Sequence, residues 1–133
     1  MQTFIKVRGF HIDVYQHVNN ARYLEFLETA RWEWLDDSPG FQWMLKKNIA
    51  FILVNININY RRPAVLGDVL QIDSQLEQLN DKSGVLRQII TCAGEPVVDA
   101  LLTFVCIDLA TQKALPLQGE LREKLRELEQ SCD

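Results

Sequence analysis

Two hydrophobic periods alternate along this chain and mark out its elements. Residues 3–8 alternate polar and apolar side chains, the period of a half-buried strand. Residues 9–20 lose any period and hold both histidines, His11 and His17, as expected of a loop or irregular turn. Leu24, Leu27, Ala30, Arg31, Trp34 and Leu35 then recur at three- and four-residue spacing, with Tyr23 and Phe26 widening the stripe. That spacing predicts a long amphipathic helix. Asn19 or Asn20 can cap its start, because a short amide accepts a bond from an orphan backbone N–H. The helix is expected to stop around Asp36-Asp37. Ser38 and Pro39 restart a short helix as cap and first-turn residue, with Phe41, Met44 and Leu45 on its apolar side. Lys46 and Lys47 suit its C-terminal end.

From Ile49 the period falls to two. Ile52, Val54, Ile56, Ile58 and Tyr60 alternate with Leu53, Asn55, Asn57, Asn59 and Arg61, cleanly from position 54. Pro63 and Gly67 end that run. Residues 69–79, 85–93 and 97–108 read as three more strands, separated by a hairpin loop at 80–84 and a Gly94-Glu95-Pro96 turn. The last of them is apolar on both faces, as a central strand would be. Thr111-Gln112-Lys113 reads as a further turn. Residues 120–130 close the chain as a helix on Leu121, Leu125 and Leu128, supported by a Glu120/Lys124 pair. The order predicts an α+β chain with one domain over residues 1–133. Four consecutive strands form a meander, and the first strand completes a five-stranded antiparallel sheet wrapped around one long central helix: the hotdog fold. The open edges of such a sheet call for a partner subunit, so a homodimer or homotetramer is expected.

Composition narrows the function. The 133 residues are 47% hydrophobic, enough for a core without staples, and carry a net charge of −4. Nucleic-acid binding needs a basic surface, and the only basic pairs are Arg61-Arg62 and Lys46-Lys47. The three cysteines, Cys92, Cys106 and Cys132, have no C-x-x-C spacing, and two histidines are too few for a convincing zinc site. Reduced thiols fit a cytoplasmic protein. The first ten residues lack an apolar signal region and no stretch is long enough to span a bilayer, so no membrane partner is expected.

Absent motifs remove more. There is no G-x-S-x-G elbow, no P-loop and no dinucleotide fingerprint, and nothing in the sequence asks for a cofactor. What remains is the segment from Gly9 to Tyr23, which gathers Asp13, His11, His17, Asn19 and Asn20 just before the long helix. A helix start offers unpaired N–H groups and partial positive charge, which can hold the oxygen of a polarised thioester carbonyl. An acid a few residues earlier can attack that carbonyl or activate a water. The plain alternative is a turn aspartate with two capping asparagines.

The run Asp13-x-x-x-His17-Val18-Asn19-Asn20-x-x-Tyr23, followed by Glu28-x-Ala30-Arg31, resembles the signature of hotdog thioesterases of the 4-hydroxybenzoyl-CoA thioesterase type. Tyr60-Arg61-Arg62-Pro63-Ala64 with Gly67-Asp68 is similar to the family's second block. Within the family the likeness is greatest to bacterial enzymes acting on long-chain acyl-CoA. The resemblance implies that Asp13 is the catalytic carboxylate and that the backbone N–H near Asn20 forms the oxyanion hole. Many relatives carry Gly where this chain has Gln16. His17 is expected to order the loop rather than transfer protons, since a thiol leaves without a strong acid. Tyr23 borders the expected acyl site. Arg61 and Arg62 are candidates for clamping coenzyme A phosphates, against a solvated strand end as the alternative. Glu28 is either a surface residue or an acid facing the site. Acyl-carrier-protein or aromatic acyl-CoA substrates, and a non-catalytic acyl-CoA-binding module, are the competing readings.

Overall fold

The period-two stretches become the strands β1 (Gln2–Lys6), β2 (Ile49–Tyr60), β3 (Val69–Leu79), β4 (Gly84–Cys92) and β5 (Glu95–Asp108). The helical stretches become α1 (Asn20–Asp36), α2 (Pro39–Lys46) and α3 (Gly119–Gln130). The computed structural model describes residues 1–130, so Cys132 lies outside the described residues. A short three-residue turn, Gly9–His11, is added within the predicted loop.

All strands pair antiparallel in the order β1-β3-β4-β5-β2. The expected four-strand meander is therefore corrected. β3, β4 and β5 follow one another, but β2 lies on the far side of β5 and not beside β3. Alternation fixes which face a side chain takes; it carries no information about which strand lies alongside. A sixth strand, β6 (Lys113–Leu115), pairs with the end of β5 through Cys106 and Asp108. It begins inside the predicted 111–113 turn and is too short to display a period.

β2 also corrects its expected faces. Its pairing with β5 slips between Leu53 and Asn55, leaving Val54 as the bulged residue. Residues directly opposite in an antiparallel pair share a face. Phe51 and Leu53 stand opposite buried Cys106 and Phe104, while Ile56, Ile58 and Tyr60 stand opposite buried Leu102, Ala100 and Val98. The inner face of β2 is thus Phe51, Leu53, Ile56, Ile58 and Tyr60, and Ile52 faces outward.

α1 buries Tyr23, Phe26, Leu27, Ala30 and Trp34 against the concave sheet. Each fully buried large side chain contributes roughly 1.5–3 kcal/mol by leaving water. The helix approaches β1 and β3 closely rather than β2. Two apolar side chains therefore stay open to solvent between them, Leu24 and Ile56, each 39% exposed. Leu24 is not in the core as its spacing suggested. Arg31, on the same predicted stripe, is half-buried and donates to the wholly buried Gln88 at 3.1 Å.

α2 and α3 close the other end. Pro39 opens α2 as expected, but the Ser38 hydroxyl makes no capping bond and is buried without a partner. Gly40 lets α2 touch α3: a Cβ there would lie 2.5 Å from the Lys124 carbonyl oxygen. Lys124 pairs with Glu127 at 3.5 Å and not with Glu120. Arg122 anchors α3 by donating to the carbonyls of Leu79, Asn80 and Leu117. Among the described residues no helix is long and apolar enough to cross a membrane.

Candidate active site

The segment before α1 is shaped by its own backbone. Asp13 N–H donates to the His17 carbonyl at 2.9 Å, and Gln16 N–H donates to the Asp13 carbonyl at 3.0 Å. Those two bonds close a tight turn. The Asp13 carboxylate reinforces it, with Oδ1 accepting the Tyr15 N–H at 2.9 Å. Gln16 adopts φ +65°, the left-handed region that favours glycine. The turn is kept here with a side chain in place. Buried Val18 then ties the loop to the second block, its N–H donating to the Ala64 carbonyl at 2.9 Å.

Asn19 is the cap of α1. Its side chain accepts the Ala21 N–H at 2.9 Å, and its carbonyl accepts the Arg22 N–H at 2.9 Å. Capping therefore uses the second and third amides of the helix and leaves the first. Among the described residues the Asn20 N–H has no acceptor. Tyr60, the first residue of the second block, donates its hydroxyl to the Asn20 carbonyl at 3.3 Å. Its position at the end of an alternating strand gave no sign of that contact.

A cleft of about 570 Å³ opens here, lined by Asp13, His17, Asn19, Asn20, Tyr60 and Arg62, with Tyr15, Val18, Tyr23, Arg61 and Pro63 completing it. The candidates Asp13, His17, Asn20, Tyr23, Arg61 and Arg62 are thus brought together. Their environments differ. Asp13 keeps Oδ2 free of protein donors among the described residues. His17 is exposed and its ring has no partner there either. The histidine that orders the loop is His11: its Nδ1 accepts the Arg8 N–H at 2.9 Å, and its ring meets Phe26 edge-on. Burial, then the nearby Arg22, hold His11 below its ordinary pKa.

Tyr23 is a buried wall of the cleft, only 2% exposed. Its hydroxyl accepts the Ala64 N–H at 3.1 Å, and burial raises its pKa, keeping the phenol neutral. Arg61 is already engaged, donating from Nε to Asp99 at 2.7 Å, which holds the Asp99 carboxyl below its usual range. Arg62 is freer, with Glu95 at 3.9 Å. Glu28 lies outside this cleft and accepts the Trp32 indole N–H at 3.3 Å. Among the described residues no cluster of His, Cys, Asp or Glu is arranged to hold a metal.

Known proteins resemble this chain along nearly its whole length. The long-chain acyl-CoA thioesterase FadM of Escherichia coli is 71% identical over 130 residues, covering 96% of this chain and 98% of that protein. The crystal structure of YbaW, a probable thioesterase from Escherichia coli, superposes with a TM-score of 0.95 at 70% identity, covering 97% of this chain and 98% of its own. A thioesterase from Thermus thermophilus solved with coenzyme A and zinc superposes at 0.79 with 27% identity, covering 97% and 93%. Residues 7–125 match the thioesterase-like superfamily. With the curled antiparallel sheet around α1 and the acid-bearing turn at its start, this chain belongs to the thioesterase-like superfamily and has its hotdog fold.

Proposed function

We propose that this chain hydrolyses long-chain fatty acyl-CoA to free fatty acid and coenzyme A. The observation that carries the reading is a carboxylate and an unpaired helix-start amide lining one cleft: Asp13 with a free Oδ2, and the Asn20 N–H with no acceptor among the described residues. The thioester carbonyl oxygen takes the Asn20 N–H, where the first turn of α1 adds partial positive charge. Oδ2 of Asp13 either attacks the carbonyl carbon or removes a proton from the attacking water. Both routes put negative charge on the oxygen held at Asn20, and coenzyme A departs as a thiolate; on the first route water then hydrolyses the anhydride formed with Asp13, releasing the fatty acid and restoring the carboxylate. Removing one such amide donor costs a transition state roughly 3 kcal/mol.

The other residues support this step. Tyr60 holds the Asn20 carbonyl, in the peptide that follows the free amide, and Tyr23 fixes the Pro63-Ala64 segment under the loop. His17 offers a ring to the bound thioester at the cleft without being needed as an acid. Arg62 is the better placed of the two arginines for a coenzyme A phosphate, because Arg61 is held by Asp99. The acyl chain lies in the trough between α1 and β2, along Leu24, Ile58 and Ile56. A second copy seated against edge strand β2 would roof that trough, so the active unit is a homodimer or a homotetramer built from it. A cytoplasmic location fits a substrate made there.

Thiol release from octanoyl-, palmitoyl- and 4-hydroxybenzoyl-CoA, and from an acyl-carrier-protein thioester, tests the reading. Palmitoyl-CoA is expected to give a larger kcat/KM than 4-hydroxybenzoyl-CoA or the carrier-protein thioester. A larger value for the aromatic or carrier-protein substrate would overturn it.

A further inference from the structure

A second cavity, about 160 Å³, opens farther along α1, lined by Glu28, Arg31, Trp32, Leu35, Phe41, Phe51 and Leu53. It lies along the same α1–β2 seam as the catalytic cleft, with which it shares no lining residue. On the helix side the row runs Asn20, Leu24, Glu28, Arg31 and Leu35, three or four residues apart. On the sheet side the inner face of β2 runs Tyr60, Ile58, Ile56, Leu53 and Phe51. The two rows are joined at one end by Tyr60 and Asn20, and at the other by this cavity. Leu24 and Ile56 stand uncovered between them.

Arg31 is out of keeping with so apolar a place. One guanidinium nitrogen donates to Gln88, which is itself fixed by donating to the Leu27 carbonyl at 3.0 Å and the Ser74 hydroxyl at 2.9 Å. Among the described residues no carboxylate reaches ion-pair distance of Arg31, and its Nε and Nη2 have no partner yet are not sealed from the cavity. Glu28, its neighbour, is held by Trp32 instead. A guanidinium does not escape such a setting by losing its proton. An aliphatic end pressed against it strips water and returns no hydrogen bond, whereas an oxygen atom restores one.

Resting on the acyl-CoA reading above, we propose that Arg31 is a specificity-determining residue that reads the far end of the acyl chain. It penalises a methyl end that reaches it and accepts an oxygen there. Asn20 and Arg31 are eleven residues apart on α1. At 1.5 Å per residue that is about 16 Å, roughly the span of an extended chain of about thirteen carbons. The ruler therefore falls near a myristoyl chain, and ω-hydroxylated acyl-CoA is the class that gains.

The test measures kcat/KM for octanoyl-, myristoyl-, stearoyl- and ω-hydroxymyristoyl-CoA with the parent, Arg31→Met, Arg31→Gln and Arg31→Lys, each checked by thermal melting. Gln keeps a donor for Gln88, so one neutral variant survives if Met unfolds. The parent is expected to favour the ω-hydroxylated chain over myristoyl by about tenfold, and to discriminate against stearoyl. Both preferences should collapse in the neutral variants, persist in Arg31→Lys, and leave octanoyl-CoA turnover within about twofold. Equal loss on every substrate, or an unchanged profile, would mean that Arg31 serves the fold alone and would overturn the proposal. A parent that hydrolyses none of these substrates would sink the acyl-CoA reading as well; normal hydrolysis with parallel profiles would sink only the role of Arg31.

Discussion

Replacing Tyr23 by Phe removes one oxygen atom and should loosen both the fold and the catalytic turn. That oxygen accepts the N–H of Ala64, a residue 1% exposed, at 3.1 Å. Ala64 in turn accepts the Val18 N–H from the loop that carries Asp13. Phe retains the ring and its contacts with Phe26 and Tyr60, so packing changes little. The loss is then one buried amide left without an acceptor, about 1–2 kcal/mol. For a chain of this length that lowers Tm by roughly 5 °C, readable by calorimetry or circular dichroism. The unfolding m-value should stay as in the parent, because the surface exposed on unfolding is the same. On acyl-CoA the variant should lose several-fold in kcat with a smaller change in KM, since a looser turn misplaces Asp13 more than it weakens binding. A variant with the parent's Tm and kcat would show that the Tyr23 hydroxyl supports neither the Ala64 segment nor the turn.

Other changes probe separate parts of the structure. Asn19→Ala deletes the acceptor for Ala21 N–H and should cost about 1 kcal/mol of stability in urea unfolding. Gly40→Ala should destabilise by roughly 1–3 kcal/mol, since its Cβ meets the Lys124 backbone carbonyl; a melt at the parent temperature would contradict the close approach of α2 and α3. His11 is held below the ordinary 6.5 chiefly by burial, so the unfolded chain takes up its proton first. Stability should therefore fall as pH drops below about 6.5 and level off below the depressed value, and His11→Gln should flatten that decline in pH-dependent melts.

Much of the site was legible because its chemistry is local. Asp13, the cap and the helix start fall within eight consecutive residues, so spacing could suggest that an acid and a helix start share one cleft. The left-handed φ of Gln16 became visible only in the backbone. The contacts of His11 with Arg8 and Phe26 were not legible, since which ring turns toward Phe26 depends on tertiary packing and not on spacing. Strand existence was equally local, whereas the placement of β2 beyond β5 was not. Val54 illustrates the limit most sharply: a strictly alternating reading runs through it, and the bulge there moves Ile52 to the opposite face from Ile56. Tyr60 and Arg31 stand in the runs that carry the family resemblance, but their contacts were not legible. Each acts through a partner distant in sequence, Tyr60 on Asn20 and Arg31 on Gln88.

Steady-state and single-turnover hydrolysis of palmitoyl-CoA by Asp13→Asn bears most directly on the carboxylate at the start of α1. The amide keeps the size of the side chain and an oxygen for the Tyr15 N–H, so Tm and substrate binding should match the parent. Turnover is expected to fall by about a thousandfold or more, with the acyl-CoA still bound and intact. A variant that releases free coenzyme A at close to the parent rate would remove Asp13 from the reaction and leave the amide of Asn20 without its catalytic partner.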